Sequence, residues 1–413
     1  MATTTSRRNP GPSAVQARLA LAVADANWYT TANLFGEVDR PDVATLLLTC
    51  ADYYNAWRNG LPLWSWGRPL TQAGPGRWRR DLVLPTGWMK QFPHWGMRPI
   101  GRTITDWHRR HAPDGRLALV MTYPHYLSLR DLVRPEVLVY FNVDDYSQYW
   151  PRCADRVNAL ERQAVRESAL TVCVSRLRAE QLRAAVPEAA DRVRHLPHGT
   201  PRFALAQAPG DRPSPPPLEL AALPGPLLGY VGSLEDLVDW PLLTKLADAL
   251  PHASIVLIGK VAGSRAGPWY ADYLRCRARK NVHLLGWCPQ ERLGPMIRSF
   301  DACLIPYRAD HPFNVVCCPT KIMDYMGSGR PIVSTDLPEC RLYDHLFDVA
   351  ADSDAFLGAV RRILDAGSDD GRTADRHAWA RDHSCQRVIE TFLDWLPPLN
   401  SAAGPIALRP SGL

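Results

Sequence analysis

The stretch PTKIMDYMGSGRPIVST, residues 319–335, sets a cation and a carboxylate, Lys321 and Asp324, just behind a proline. Pro319 suits the start of a helix, where its missing N–H would have no partner anyway. The free N–H groups and positive dipole end of such a helix make an anion site, commonly filled by a phosphate. A lysine in that first turn is disfavoured by the same dipole unless an anion is bound. Asp324, about one turn on, is placed to accept both hydroxyls of a ribose. The Gly327–Gly329 turn then stops the helix, and Arg330–Pro331 opens the next strand. The chemistry is that of a nucleoside diphosphate held at a helix start. Taken singly, Lys321 reads more readily as a solvated lysine and Asp324 as an exposed helix residue; the flanking strands give the pair its meaning.

A second group lies earlier in the chain. His125 follows the run MTYP, and Asp144–Asp145 follow YFNV. Residues just beyond parallel strands line the crevice of an α/β sheet. An imidazole or carboxylate there can deprotonate an acceptor hydroxyl or orient a donor sugar. Structural roles compete: packing or capping for His125, and a helix N-cap for one of the two aspartates. His198, in LPHGT, reads as a hinge residue. There is no H-E-x-x-H, and Asp144 and Asp145 are adjacent rather than spaced by one. The site is therefore expected to hold no metal and no cofactor beyond its substrates, with helix dipoles and cations in the metal's place.

Strand–helix alternation must position these groups. ATLLLT, LALVMTY, VLVYFNV and LTVCVS read as buried strands with helical patterns between them. After residue 226 the rhythm repeats as PLLGYVGS, ASIVLIGK, VHLLGW, DACLIPY and RPIVST. This alternation implies parallel sheets with helices on both faces. Residues 201–226 hold eight prolines in 26 positions, which neither sheet nor helix accommodates, and read as an inter-domain linker. The expected plan is a flexible leader running into a helix over 1–40, a first Rossmann-like domain over 41–200, the linker, and a second over 227–375. A helix over 376–396 and a tail over 397–413 complete it.

The net charge of +6 is unevenly spread: Trp57 to Arg110 holds ten Lys or Arg against two Asp, so this segment carries +8 and the remainder −2. Seven of the 14 tryptophans also lie there. Interleaved Arg and Trp suit a membrane interface or a lipid-linked substrate, because indoles sit at headgroup level while cations meet phosphates. An irregular domain face with buried rings is the plainer reading, and nucleic acid the weakest. The ten cysteines include no C-x-x-C pair, which favours reduced thiols in a cytoplasm. No apolar run reaches the roughly 18 residues that span a bilayer.

The run FDACLIPY…PTKIMDYMGSGRPIVSTDLPE resembles the donor-site segment of GT-B glycosyltransferases, in particular family 4 and its surface-polysaccharide and teichuronic-acid branch. VLVYFNVDDYSQYW, ALERQAVRESALTVCVS, VRHLPHGT, LLGYVGSLEDLVDWPLL, NVHLLGWCPQERL and RHAWARDHSCQRVIETFLDWL follow in the matching order. The likeness covers about residues 115–396, and residues 1–110 match only loosely. It implies two Rossmann-like domains facing across a cleft, with a C-terminal helix crossing back to the first. It also implies metal-independent, retaining hexosyl transfer from a UDP- or GDP-linked sugar to a saccharide or lipid-linked acceptor. The family's donor motif has two glutamates eight positions apart, and the second binds the ribose. Asp324 holds that second place, and Val316 falls on the first, leaving Asn314 or nearby amides for the sugar. The family's Arg and Lys after the first glycine turn are not at their usual spacing behind Gly232 and Ser233. Lys321, Lys260 and Arg265 are the candidates to supply that charge, and Trp287–Cys288–Pro289 would lie near the base. Two alternatives are a non-catalytic binding protein of this fold and a nucleotide-sugar epimerase.

Overall fold

The computed structural model describes residues 17–397 other than 59–60, 62, 64–66, 90–92, 264 and 266. The first sheet has eight strands: β1 (Leu19–Ala24), β2 (Val43–Asp52), β3 (Thr71–Gly74), β4 (Arg77–Leu84), β5 (Arg116–Met121), β6 (Val137–Asn142), β7 (Leu170–Cys173) and β8 (Val193–His195), in the order β3-β4-β2-β1-β5-β6-β7-β8. All neighbours are parallel except β3 against β4. The second sheet is wholly parallel. Its strands are β9 (Leu227–Val231), β10 (Ser254–Ile258), β11 (Val282–Gly286), β12 (Ala302–Ile305), β13 (Ile332–Thr335) and β14 (Asp348–Ala350), in the order β11-β10-β9-β12-β13-β14. Central strands such as LALAVA and SIVLI are buried along their whole length, as a sheet covered on both faces requires.

Strand order reverses at β1/β5 in the first domain and at β9/β12 in the second. The loops after those strands open at the carboxyl edges, where such folds bind ligands. The two edges face each other, and side-chain and backbone contacts join the domains. The Tyr29 hydroxyl donates to Thr320 Oγ1 at 2.6 Å, and the backbone N–H of Arg176 donates to the buried Glu339 at 3.0 Å. Arg202 pairs with Glu37 at 2.6 Å, and the Tyr149 and Phe313 rings meet at 5.7 Å.

Two expectations need correction. The stretch LALAVA, expected to run from a leader into a helix, is β1, the centre of the first sheet. Its apolar side chains face both covered surfaces, and a helix there would leave one face in water. The residues before 17, and the tail beyond 397, lie outside the described residues. The single crossing helix over 376–396 is two helices, Thr373–Asp382 and Cys385–Asp394, the second capped by the Ser384 hydroxyl. The Thr200 and Ser384 backbones bridge there, with Cys385 N–H on Thr200 O at 2.9 Å. Past this corner Phe392 packs edge-on against Phe35 and Phe141 of the first domain. The linker is not loose at its start, because Ala206 N–H bonds Gly327 O at 2.9 Å. Among the described residues, no helix is long and apolar enough to cross a membrane.

Candidate active site in the interdomain cleft

A cavity of about 930 Å³ lies between the two carboxyl edges. The helix Lys321–Ser328 reaches it from the second domain, with Thr320 as an N-cap whose side chain accepts from no N–H of the helix. Pro319 stands just outside this helix rather than in its first turn, because Lys321 is the first helical residue. Lys321 does not extend into solvent. Its Nζ donates to the Tyr307 hydroxyl and lies 5.0 Å from the Tyr230 ring and 4.6 Å from that of Tyr307. Burial pulls its ammonium down to about 8. Burial likewise pushes the Asp324 carboxyl up to about 7, against the opposing pull of Lys321 and the Tyr29 hydroxyl.

Two glycines let the backbone close around this lysine. Gly232, at the end of β9, has φ +151°, and a Cβ there would sit 2.6 Å from Lys321 Nζ. Gly259, at the end of β10, has φ +156°, and its Cβ would fall 1.8 Å from Gly232 O. Only glycine permits both the torsion and the approach. Beyond them lie Ser233, Lys260, Trp287 and Cys288, with Lys260 Nζ 5.1 Å over the exposed Trp287 ring.

From the first domain come Asp144 after β6 and Trp28 and Tyr29 after β1. Asp144 accepts from the Tyr149 hydroxyl at 2.8 Å, and burial pushes its carboxyl up to about 7 despite that bond. Glu235 faces the same space; burial, then the neighbouring Asp236, raises it, while Lys321 pulls it back. His198 also lines the cleft and is held neutral, lowered to about 4 by burial.

Gly232, Ser233, Lys260, Trp287, Cys288, Pro319, Lys321, Asp324 and Asp144 thus share one cavity. Five sequence candidates stand elsewhere. Asp145 is a helix cap: it accepts from Ser147 N and lies 3.6 Å from the buried Arg178. His125 lines a separate hollow with Met89 and Leu127, its ring edge-on to Trp150 at 4.8 Å, because a 3-10 turn over Pro124–Ser128 carries it away from the cleft. Asn314 is buried, its amide donating to Leu237 O and Arg308 O at 2.9 Å, so it holds a loop rather than a sugar. Pro289 caps the helix Gln290–Arg298, and its neighbour Gln290 lines the cavity instead. Arg265 lies 6.0 Å over Tyr270, outside the cavity. Val316 is buried and also outside it. Reading missed Trp28, Tyr29 and Glu235. The first two would have followed from taking LALAVA as the central strand, whose next loop must line the crevice.

Among the described residues, no cluster of His, Cys, Asp and Glu is arranged to hold a metal, and all ten cysteines are free thiols.

Residues 225–366 match the family of glycosyl transferases group 1. A Bacillus subtilis (strain 168) protein described as a candidate teichuronic acid biosynthesis glycosyltransferase is 22% identical over 167 residues, 39% of this chain. The match spans 41% of that relative's length. Among solved structures, Thermosynechococcus elongatus sucrose-phosphate synthase superposes with a TM-score of 0.65 at 12% identity, over 91% of this chain and 98% of that one. Anabaena HepE in complex with UDP and glucose gives 0.61 at 12% identity over 91% and 98%. A Burkholderia xenovorans trehalose-phosphate synthase bound to glucose-6-phosphate gives 0.64 at 12% over 91% and 99%. The fold is GT-B.

Proposed function

We propose that this protein is a glycosyltransferase that moves a hexose from a nucleotide sugar, UDP-linked in the first instance, to an acceptor hydroxyl. The carrying observation is the juxtaposition of Lys321, Asp324 and the helix start with Asp144 across one cleft. A diphosphate would lie at the open N-terminus of the helix Lys321–Ser328, with Lys321 beneath it and Lys260 beside it. Asp324 would accept the ribose hydroxyls, and the Trp287 ring would cover the base. Glu235 takes the sugar-facing place that Val316 cannot fill. As the bond between the anomeric carbon and the diphosphate oxygen breaks, helix dipole and ammonium stabilise the leaving group without a metal. Asp144, poised near neutrality, receives the acceptor proton. Retention of configuration is carried over from the family likeness.

The acceptor is proposed to be a saccharide on a lipid carrier, met at the cytoplasmic face of a membrane through the Arg- and Trp-rich part of residues 57–110. Val316 favours one second reading, a protein that binds the nucleotide without transferring. An epimerase gains no support, since the family model and the curated relative that match this chain are both glycosyltransferases.

Thermal unfolding against UDP, GDP, TDP and their sugar conjugates is the test. A ligand at a hundred times its dissociation constant adds about 2.7 kcal/mol. A shift with one nucleotide, lost in Asp324→Ala, supports donor binding; sugar release onto an acceptor extract then separates transfer from binding alone. No shift with any nucleotide sinks the proposal.

A further inference from the structure

The first domain carries a second large hollow, lined by none of the residues of the interdomain cleft. It measures about 730 Å³ and runs between β4 and the helix Pro93–His111. Its walls are apolar, with Leu82, Leu84, Pro85, Trp88, Trp95 and Pro99 along it. One face of the helix is buried through Met97, Ile100, Ile104 and Trp107, which leaves Trp95, Arg98, Arg102 and Arg109 on the outer face at helical spacing. Trp95 is 75% exposed, an unusual position for an indole beside an apolar trough. Arg109 is neutralised by Asp106 and Arg79 by Asp81. Among the described residues, Arg98 and Arg102 form no ion pair, so the rim carries uncompensated positive charge. An apolar trough with an exposed indole at its lip, Arg98 lying 6.0 Å over that ring, and two guanidinium groups that no carboxylate pairs is complementary to an amphiphile with an anionic head.

Orientation says which amphiphile. β4 runs parallel to β2 and β1, so Leu84, Pro85 and Trp88 lie at the carboxyl edge of the sheet, the edge on which the cleft opens. β4 is two strand spacings from β1, roughly 10 Å. A chain lying in the trough therefore leaves its head on the side where transfer is proposed.

We propose that this groove seats the hydrocarbon chain of a phosphate-bearing membrane lipid, with Arg98 and Arg102 on the headgroup. This deepens the acceptor reading above and rests on it. Trp95 enters the headgroup layer and Trp88 floors the trough. A bilayer surface is the occupant that fits, because an apolar trough with two cations at its lip suits an acyl or prenyl chain better than a stack of bases, which needs a basic track along a strand.

The test is flotation of the full chain with phosphatidylcholine vesicles, with and without phosphatidylglycerol. Binding is expected only with the anionic lipid. Arg98→Gln or Arg102→Gln should each weaken it about fivefold, the effect of one positive charge at an anionic surface. Trp95→Ser should remove the fraction of binding that survives added salt. Vesicles with brominated chains should quench tryptophan emission, and Trp95→Phe should lessen the quenching. All substituted side chains are exposed, so unfolding is not expected, and thermal unfolding of each variant confirms it. Vesicle binding unchanged in the variants, or absent, overturns the proposal. So does loss in these variants of binding to a labelled oligonucleotide with vesicle binding intact. Nucleotide-sugar binding measured on the same samples separates the two failures. If it persists while vesicles are ignored, only the groove proposal falls; if it is absent, the transferase reading falls.

Discussion

If the donor lies as proposed, Lys321 and Asp324 make its binding a proton-linked event whose sign depends on pH. In the free protein the ammonium is pulled down to about 8 and the carboxyl pushed up to about 7, both by burial. A bound diphosphate restores the charged lysine, and ribose hydroxyls donating to Asp324 restore the carboxylate. At pH 6 the lysine is already charged, and the carboxyl gives up about 0.9 proton per ligand bound. At pH 8.5 the carboxyl is already ionised, and the lysine takes up about 0.8 proton. The two cancel near pH 7.5, midway between the two values. A nucleotide sugar is the right ligand, because its phosphates are both esterified and do not titrate in this range. Isothermal titration calorimetry in pairs of buffers with different ionisation enthalpies counts the protons directly. Asp324→Asn should abolish the release and Lys321→Met the uptake. A proton count that is zero at both pH values, or of one sign throughout, would refute the placement of these two groups on the ligand.

The buried ammonium also costs stability. Its depressed pKa gives a contribution present above 10.5 and lost as pH falls through about 8. At pH 7 the penalty is roughly 3 kcal/mol, so Lys321→Met should raise the unfolding free energy of the second domain, read from urea denaturation, by about 1–3 kcal/mol after the lost Tyr307 bond, while nucleotide binding disappears; a lower unfolding free energy contradicts it. Gly259→Ala forces a Cβ onto Gly232 O, and should cost about 1–3 kcal/mol together with donor binding, read by thermal unfolding with and without nucleotide. Phe392→Ala removes the ring that anchors the last helix to Phe35 and Phe141 and should cost about 3–5 kcal/mol in denaturant unfolding. Glu339→Ala strands the Arg176 N–H at the domain interface; small-angle scattering should show a more open pair of domains, with unchanged dimensions the contrary result.

Much of this was legible in the chain itself. The fold follows from alternation of buried strands and amphipathic helices, because a parallel sheet covered on both faces demands continuous apolar runs, and VLVYFN, SIVLI and ACLI supply them. The helix start proposed to hold the donor was legible as a helix because local rules fix it: a proline before it, a lysine in the first turn, a glycine at its end with φ +71°. β1 escaped because LALAVA sits in an alanine-rich stretch whose helical propensity competes with its burial. β3 and β4 escaped because one exposed face and several arginines hide the strand period.

Tertiary structure alone decided which candidates meet. Asp144 and Asp145 are adjacent in sequence, yet successive residues past a strand point apart, and one turned to the cleft while the other capped a helix and met Arg178. His125 was carried off by a 3-10 turn, and Tyr29 was brought from the far end of the chain to Thr320. The altered protonation of Lys321 and Asp324 belongs to the same class. Residue type sets the charge a side chain can carry, but only the packing of two domains removes the water that decides whether it carries it.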